Sequence, residues 1–355
     1  MAGGIVCRSL RLHNRRALIA PQSTERGPAK AIVLDGVGGP EVRKPGEVDA
    51  PIAGPGRVLI RVHATSVNRP DVVQRQGHYP PPPGESPILG LEAAGTVESV
   101  GPDVTGFTRG ERVFALLGGG GYAELATAHA GHVMRVPENL SFEQAACICE
   151  TYLTAFMNLF LYARLADGET VLLHGGGGGV ATAAMQIVKA LVPRAKLLVT
   201  ASTGKVERVK ALGADAVIDY KSEDFADVVQ RLTDKRGVDV ILDHLGAPYL
   251  ERNVRSLAVG GRLAVIGVMG GRKAELDIGR VLSNRLSILG SVLRPRPVAE
   301  KTAIIHSFDR DVMPYFVAGR IVPLIHHVYP LDQAAEAHRA MEAGEHFGKL
   351  VLRVR

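Results

Sequence analysis

A run of five glycines at residues 175–179 follows a short apolar stretch and precedes residues with the periodicity of a helix. A strand, a tight glycine turn and a helix in succession form a phosphate site. A backbone without Cβ atoms can approach a pyrophosphate, and the helix N-terminus presents free N–H groups. The template positions fall at Gly175, Gly178 and Ala181, a G-x-x-G-x-x-A pattern. Because five glycines satisfy almost any glycine template, a flexible surface turn is the alternative interpretation. If the loop binds a dinucleotide, the residues that contact it are Gly175, Gly178, Gly179 and Val180.

Strand and helix patterns alternate from residue 150 onward. The predicted strands cover 170–174, 196–200, 216–219, 238–243 and 262–267, and the predicted helices cover 179–191, 203–212, 223–232 and 247–257. The second and fourth of these strands are nearly continuous apolar runs, as expected when helices cover both faces of a parallel sheet. This order predicts an α/β fold with a doubly wound parallel sheet, in which the glycine loop follows the first strand. That position favours a dinucleotide site over a flexible turn.

The end of the second strand indicates which dinucleotide binds. NAD-selective sites place an acid there to bind the ribose 2′-OH, but residues 199–205 contain none. A carboxylate would repel a 2′-phosphate, whereas Ser202 and Lys205 can bind one. Tyr220, after the third strand, can close the same pocket. The alternative for Lys205 is a solvated lysine in the first turn of a helix. We predict NADPH as the cofactor.

The first 150 residues are rich in short strands instead. These are predicted at 30–34, 57–64, 90–100, 112–115, 122–126 and 133–136, with a short helix within 66–75 and a stiff proline-rich loop at 77–84. After a strand at 286–293, we predict helices near 299–318 and 331–343 and a last strand at 348–352 that returns to the first domain. The predicted organisation is an extension at 1–28, a β-rich domain from 29–151 and 297–355, and a dinucleotide-binding domain at 152–296.

The net charge of +6 is concentrated at the N-terminus, where residues 1–30 hold six basic side chains and one acidic one. About +1 remains for the rest of the chain, so a nucleic-acid partner is not expected. No apolar run approaches the ~18 residues that span a bilayer. The Arg-rich, acid-poor residues 1–28 resemble a mitochondrial presequence, and a disordered extension is the alternative. We predict a cytoplasmic protein, with the mitochondrial matrix as the second possibility.

Four segments together resemble a known family. They are residues 68–80, 89–95, 153–156 and 347–351, of which the first is the most specific. From about residue 29 to the C-terminus the chain resembles the medium-chain dehydrogenase/reductase superfamily. It is most similar to the zinc-less, zeta-crystallin-like quinone oxidoreductases, in the branch of the tumour-suppressor-induced quinone oxidoreductase. The resemblance implies a GroES-like catalytic domain, a Rossmann domain, and a homodimer formed through the strand at 286–293.

The implied activity is NADPH-dependent reduction of a small-molecule quinone, and reduction of an α,β-unsaturated carbonyl (an enone or alkenal) is the alternative. The resemblance assigns Asn68 and Tyr79 to the cleft wall, where an amide and a phenol can hydrogen-bond a quinone oxygen, and Thr154 to the side of the nicotinamide. The alternatives are a turn-forming asparagine, a packing tyrosine and a capping or core threonine. Further expected cofactor contacts are Gly267, Met269, Leu293, Arg294 and Lys349.

The departures from the zinc-dependent relatives are equally informative. Those relatives carry a cysteine where this chain has Asn68, a histidine where it has Leu91, and a four-cysteine loop where it has glycines at 118–121. Zinc needs about four N, S or O ligands, so we expect no zinc. Cys147 and Cys149 lie two apart in a predicted helix and point to nearly opposite faces, which argues against a shared metal or disulfide and for a reducing compartment. The loop serine usual in the closest branch is Gly178 here.

Other polar residues have structural interpretations. His174 ends a buried strand, so we expect a core histidine with satisfied hydrogen bonds. His326 and His327 are adjacent on a strand and cannot bind one metal together, and Glu92 is interpreted as a structural ion-pair partner. Because zeta-crystallin relatives include lens structural proteins and RNA binders, a non-enzymatic role is the contrasting hypothesis. The low charge outside the N-terminus disfavours RNA binding.

Overall fold

The computed structural model of the protein describes Met1 and residues 27–355, so nearly all of the predicted N-terminal extension, with Cys7, lies outside the described residues. The strands in chain order are β1 (Ala29–Leu34), β2 (Arg43–Val48), β3 (Arg57–Val67), β4 (Glu92–Val100), β5 (Arg112–Leu116), β6 (Leu125–His129), β7 (Val133–Arg135), β8 (Thr170–Leu173), β9 (Lys196–Ala201), β10 (Ala216–Asp219), β11 (Val238–Asp243), β12 (Leu257–Val265), β13 (Ser287–Gly290), β14 (Ile325–Pro330) and β15 (Lys349–Arg353).

The α-helices are α1 (Arg69–Arg75), α2 (Phe142–Ala145), α3 (Thr151–Phe156), α4 (Gly179–Leu191), α5 (Val206–Ala211), α6 (Phe225–Leu232), α7 (Leu250–Ser256), α8 (Ile278–Ser283), α9 (Val298–Asp311), α10 (Met313–Val317) and α11 (Ala334–Ala343). A π-helical segment, Met157–Tyr162, continues α3. Among the described residues, no helix combines the length and apolar character needed to cross a bilayer.

Six strands form a parallel sheet in the order β10-β9-β8-β11-β12-β13. β8 lies in its middle because the chain first winds outward to β9 and β10 and then returns to β11. A crevice opens where the winding direction reverses, at the carboxyl ends of β8 and β11. The side chains of Val171, Leu172 and Leu173 are completely buried, as covering on both faces requires. The predicted doubly wound sheet is confirmed.

A second, seven-stranded sheet contains β14-β15-β3-β4-β5-β7, with β6 paired to β3. β15 runs antiparallel to β3, with Leu350 opposite Val67, and parallel to β14. The last strand therefore returns to the β-rich part, as predicted, and carries Lys349 with it. The two sheets fall within the predicted ranges 29–151 with 297–355 and 152–296, and the domain boundaries themselves stay predictions.

Several elements differ from their predicted bounds. The strand predicted at 122–126 is Leu125–His129. β2 was not predicted, because it contains Pro45 and Gly46, which are uncommon within strands and are tolerated at a sheet edge. The helix predicted at 299–318 is divided at Val312, since Pro314 has no N–H to donate and its ring crowds the preceding turn. Cys147 and Cys149 lie between α2 and α3 outside any helix, and burial raises the pKa of both thiols.

β13 forms the edge of the parallel sheet, and Ile288 on it and Val292 beyond it are exposed. An unpaired edge can accept a further strand, so the geometry is compatible with the expected homodimer, which stays a prediction.

Gly348 joins the C-terminal segment to the glycine loop. Its N–H donates to the carbonyl oxygen of Gly177 at 2.9 Å, and its φ of +87° lies in the left-handed region. A Cβ at this position would collide with the carbonyl oxygen of Leu324. We expect Gly348→Ala to lower the free energy of unfolding by roughly 2–5 kcal/mol, combining backbone strain with overpacking.

Thermal unfolding of the purified variant measures this effect. Gly54→Ala is the matched control, because a Cβ there meets nothing within 4 Å, and its melting temperature should equal that of the wild type. An unchanged melting temperature for Gly348→Ala would contradict the prediction.

Candidate functional site

The glycine loop is closely surrounded on several sides. Gly175 has a φ of +68°, and a Cβ there would lie 2.5 Å from the His244 ring. A Cβ on Gly177 would lie 2.5 Å from Cδ of Lys205, and one on Gly179 would lie 2.7 Å from Cδ of Lys349. Side chains at these positions would close the loop, so glycine is required. The loop is a cradle for a group that approaches the backbone directly.

Helix α4 begins at Gly179, with Gly178 as an N-cap whose missing side chain provides no capping bond. The first N–H groups of a helix have no intrahelical acceptor and carry a partial positive charge. They therefore suit an anion such as a pyrophosphate. Val180, also predicted to contact the cofactor, lies in this first turn and is partly exposed. The residues present fit a dinucleotide.

His174 is a core residue, as predicted. Its ring nitrogens bond to Thr200 Oγ1 at 3.1 Å and to Asn253 Oδ1 at 2.7 Å. The ring packs edge-on against Phe225 and Tyr249. Burial lowers the pKa of His174 to about 3, so the imidazole is neutral at physiological pH. The prediction of a core histidine with satisfied hydrogen bonds is confirmed.

His244 is a site residue that the sequence analysis missed. It directly follows β11 and its ring lies against Gly175, while its backbone lies 3.1 Å from where a Cβ of Gly267 would be. Burial, and then the positive charge of Arg69, lower the pKa of His244 to about 4. The signal that could have found it is its position at the carboxyl end of the strand beside β8, at the reversal of the sheet.

Ser202, Lys205 and Tyr220 all lie around the end of β9, as the NADPH prediction requires. The Tyr220 N–H donates to Ala201 O at 3.2 Å, and its side chain is exposed. The Lys205 ammonium donates to the carbonyl oxygens of Gly344 at 2.7 Å and His346 at 2.6 Å. A lysine has three N–H donors, so one is left for a phosphate. Lys205 therefore also holds the C-terminal segment, a second role that was not predicted.

A buried polar cluster joins strands of the seven-stranded sheet. The Lys349 ammonium donates to Asn68 Oδ1 at 2.5 Å, to Val67 O at 3.2 Å and to Glu92 Oε1 at 3.2 Å. Glu92 Oε1 also accepts from Asn68 Nδ2 at 2.8 Å and from Ser66 Oγ at 2.5 Å. Only 5% of the Lys349 side chain and 1% of the Glu92 side chain are exposed. The interpretation of Glu92 as a structural ion-pair partner is confirmed.

This cluster changes the interpretation of two predicted residues. Lys349 was expected to contact the cofactor, but its ammonium points away from the glycine loop into the cluster, and only its stem touches the loop at Gly179. The amide of Asn68 is turned toward Lys349 and Glu92, while its backbone N–H donates to Asp71 Oδ2 at 2.8 Å at the start of α1. A substrate oxygen would have to share or replace one of these amide bonds.

Arg294 was expected to face the cofactor, and its guanidinium instead reaches the loops of the other sheet. It donates to Gly118 O at 2.6 Å, to Gln74 Oε1 at 2.8 Å and to Tyr79 O at 3.2 Å, and it lies 5.3 Å from the centroid of the Tyr79 ring. Leu293 was likewise expected at the cofactor but is buried in the main apolar core. Arg294 therefore fixes the loop that carries Tyr79.

Met269 and Thr154 are the remaining predicted residues. Met269 follows β12, is exposed, and donates its N–H to His244 O at 3.0 Å. Thr154 is partly buried in α3, and its N–H donates to Glu150 O at 3.3 Å. Their contacts with a cofactor stay predictions.

The donor set does not fit a zinc site. Among the described residues, no three His, Cys, Asp or Glu side chains come together in a way that could hold a metal ion. Leu91 is buried and apolar, and Asn68 is engaged by Lys349 and Glu92. The charged groups at this point of the fold are the Lys349 ammonium and the Glu92 carboxylate.

Removing the Lys349 ammonium should strongly destabilise the protein. Lys349→Met leaves Glu92 buried without its ion-pair partner, which typically costs about 3–5 kcal/mol. Lys349→Met/Glu92→Gln should cost less than the sum of the single variants, because neither charge then remains buried alone. Urea denaturation measures all three. Arg339→Met, which breaks an exposed pair with Glu336, is the control and should be nearly neutral. Additive losses in the double variant would contradict this account.

Comparisons with known proteins agree with the resemblance stated above. Residues 54–138 match the alcohol dehydrogenase GroES-like domain, and residues 212–352 match a family described as zinc-binding dehydrogenase. The chain is 35% identical to a quinone oxidoreductase of Mus musculus and 33% identical to one of Homo sapiens, and each alignment covers 91% of this chain and 97% of the relative.

Solved structures share the whole fold. A quinone oxidoreductase of Pseudomonas syringae pv. Tomato is 31% identical with a TM-score of 0.82, covering 92% of this chain and 100% of that one. A mycobacterial protein complexed with NADPH has the same identity, coverage and TM-score. An enoyl reductase is 26% identical with a TM-score of 0.82, covering 92% and 99%. The chain thus belongs to the medium-chain dehydrogenase/reductase superfamily, among its zeta-crystallin-like quinone oxidoreductases.

Proposed function

We propose that this protein is an NADPH-dependent quinone reductase that works without zinc. The observation that carries the proposal is the position of Lys349, whose stem lies against the glycine loop at Gly179 and whose ammonium holds Asn68. A single lysine side chain therefore connects the glycine loop to the polar cluster that contains Asn68. The quinone oxidoreductases that share about a third of the sequence support the same conclusion.

A bound NADPH supplies a hydride at its nicotinamide ring, and the protein provides binding and orientation. The N–H groups at the start of α4 hold the pyrophosphate, and Ser202 with the third N–H of Lys205 binds the 2′-phosphate. Burial, and then Glu150, raise the pKa of the Tyr79 phenol above its ordinary value of 10. Tyr79 thus stays protonated and can donate a hydrogen bond to a substrate oxygen. Arg294 holds the loop of Tyr79 in place. Such positioning supplies much of the rate when the acceptor is already electrophilic.

Reduction of an α,β-unsaturated carbonyl is the second candidate. The similarity to a solved enoyl reductase favours it, because the same cleft can present an activated double bond to the nicotinamide. Both substrates carry an oxygen for Tyr79, so the arrangement of the cleft serves either.

A comparison of substrates separates the two candidates. We expect NADPH oxidation to proceed with a higher kcat/KM for an ortho-quinone than for an alkenal. Tyr79→Phe should lower the value for the quinone by roughly 2–10-fold, the loss of one neutral hydrogen bond. Tyr315→Phe, whose ring lies against Arg320 and outside the cleft, should leave it unchanged. Faster turnover of the alkenal would favour the second candidate.

Cofactor choice is tested by fluorescence titration with NADPH and NADH. We expect the wild type to prefer NADPH, and Lys205→Ala to weaken NADPH binding by roughly 10–100-fold, the loss of a charged hydrogen bond. NADH has no 2′-phosphate, so its affinity should change little.

The ratio of the two affinities is the decisive quantity, because Lys205 also binds Gly344 and His346. Loss of that docking alone would weaken both nucleotides equally. Ser202→Ala, which leaves the docking intact, should shift the ratio in the same direction as Lys205→Ala. An unchanged ratio in both variants would contradict the assignment of the 2′-phosphate site.

A further inference from the structure

Glu150 lies next to the polar cluster and has not yet been given a role. It immediately precedes α3, and its backbone N–H donates to Glu92 Oε2 at 2.9 Å. Its side chain is partly buried. Within the described residues its carboxyl group has neither a hydrogen-bond donor nor an ion-pair partner. Glu150 is thus attached to the cluster through its backbone, while its carboxyl remains free to meet a ligand.

Five charged or titratable side chains face Glu150. They come from α1, the loop after α1, β4, the segment after β13, and β15. In that order they are Asp71, Tyr79, Glu92, Arg294 and Lys349. The two cations are already engaged, Lys349 by Asn68 and Glu92 and Arg294 by carbonyl and amide oxygens. Neither forms an ion pair with Glu150, so they offset the desolvation of its carboxylate only in part.

The protonation state follows from these surroundings. Burial, and then the negative charges of Glu92 and Asp71, raise the pKa of Glu150 to about 8, against the opposing effect of Lys349 and Arg294. A carboxyl with that pKa is roughly nine-tenths protonated at pH 7. Glu92 has a different environment, since it accepts four hydrogen bonds. The two neighbouring carboxyl groups therefore differ in environment, since Glu92 has four hydrogen-bond donors and the Glu150 carboxyl has none.

Glu150 lies near the residues that are predicted to contact the nicotinamide and the substrate. Thr154, predicted beside the nicotinamide, follows it by four residues and accordingly lies on the same side of α3. Tyr79, predicted to bind the substrate oxygen, is close enough for Glu150 to raise its pKa. Glu150 is thus near both Thr154 and Tyr79, the residues predicted to contact the nicotinamide and the substrate oxygen.

We propose that Glu150 is the catalytic acid that protonates the substrate oxygen during reduction, an inference that rests on the proposed function. A bound NADPH would supply a hydride from its nicotinamide C–H bond and would be oxidised to NADP⁺. The hydride would bond to one quinone oxygen, and the other quinone oxygen takes up the proton of Glu150. The O–H bond of the carboxyl group breaks, an O–H bond of the hydroquinone forms, and a carboxylate remains. Water at the exposed side of Glu150 returns the proton. Tyr79 is less suited, because a phenol that titrates above pH 10 is a poor proton donor near pH 7.

The pH profile of kcat/KM for an ortho-quinone tests this step. We expect the wild-type rate to fall as the pH rises through about 8, because the acid form disappears. Glu150→Gln should lower kcat/KM at pH 7 by roughly 100-fold or more and remove this alkaline decline. Glu150→Asp should recover part of the rate and keep the decline. Glu143→Gln, which alters an exposed contact with Arg353, is the control and should match the wild type.

Infrared spectroscopy gives a measurement that does not depend on turnover. The wild type should show the carbonyl stretch of a protonated carboxylic acid at pH 7, which fades as the pH rises through about 8. Glu150→Gln should lack this band, and Glu143→Gln should retain it. NADPH affinity, measured by fluorescence titration, should be equal in all these variants, which shows that the fold and the cofactor site are intact.

The outcomes separate this inference from the proposed function. Absence of wild-type turnover with quinones and alkenals would overturn the proposed function and, with it, the catalytic step. Turnover with an unchanged rate and pH profile in Glu150→Gln would overturn only the role of Glu150. A carboxylic acid band that persists in Glu150→Gln would show that another group holds the proton, and this result also counts against the proposal.

Discussion

The buried ion pair of Lys349 and Glu92 is the constraint on which the site depends. Charges taken out of water must be compensated by hydrogen bonds, and this requirement draws distant parts of the chain to one point. Glu92 begins β4, Ser66 and Asn68 lie at the end of β3 and the start of α1, and Lys349 begins β15. The bonds that satisfy the pair therefore also fix the orientation of the Asn68 amide in the cleft.

The same lysine links this cluster to the nucleotide loop. Its stem occupies the space beside Gly179, and its neighbour Gly348 bonds to Gly177 across the junction of the two sheets. Arg294 provides a second link, from the edge of the parallel sheet to the loop of Tyr79. Because both links carry charged side chains with several partners, a shift of one sheet against the other would leave buried donors without acceptors. The cofactor loop and the substrate cleft are thus held in one geometry.

The three acids at the polar cluster differ in their hydrogen-bond partners. Glu92 accepts bonds from the backbone of Glu150, from Ser66, from Asn68 and from Lys349. The Glu150 carboxyl has no such donors, and its pKa is raised to about 8. Asp71 is intermediate, since backbone N–H groups of Asn68 and Gly90 partly offset its burial and its pKa rises to about 6. The protein thus brings a lysine and three carboxyl groups with different hydrogen-bond partners to one point.

The sequence by itself determined the parallel sheet, the glycine loop after its first strand, the core position of His174 and the pairing role of Glu92. These follow from periodicity and local spacing, which act over a few residues, and, for Glu92, from the resemblance in the segment 89–95. Only the tertiary structure decided that Lys349 turns to Asn68, that Arg294 binds the Tyr79 loop, that His244 lies against the glycine loop and that Glu150 bonds to Glu92. Their partners lie far along the chain (281 residues separate Lys349 from Asn68), and no local pattern records a contact between strands of such separation. Their protonation states were equally hidden, because a pKa depends on burial and on neighbouring charges that folding brings together.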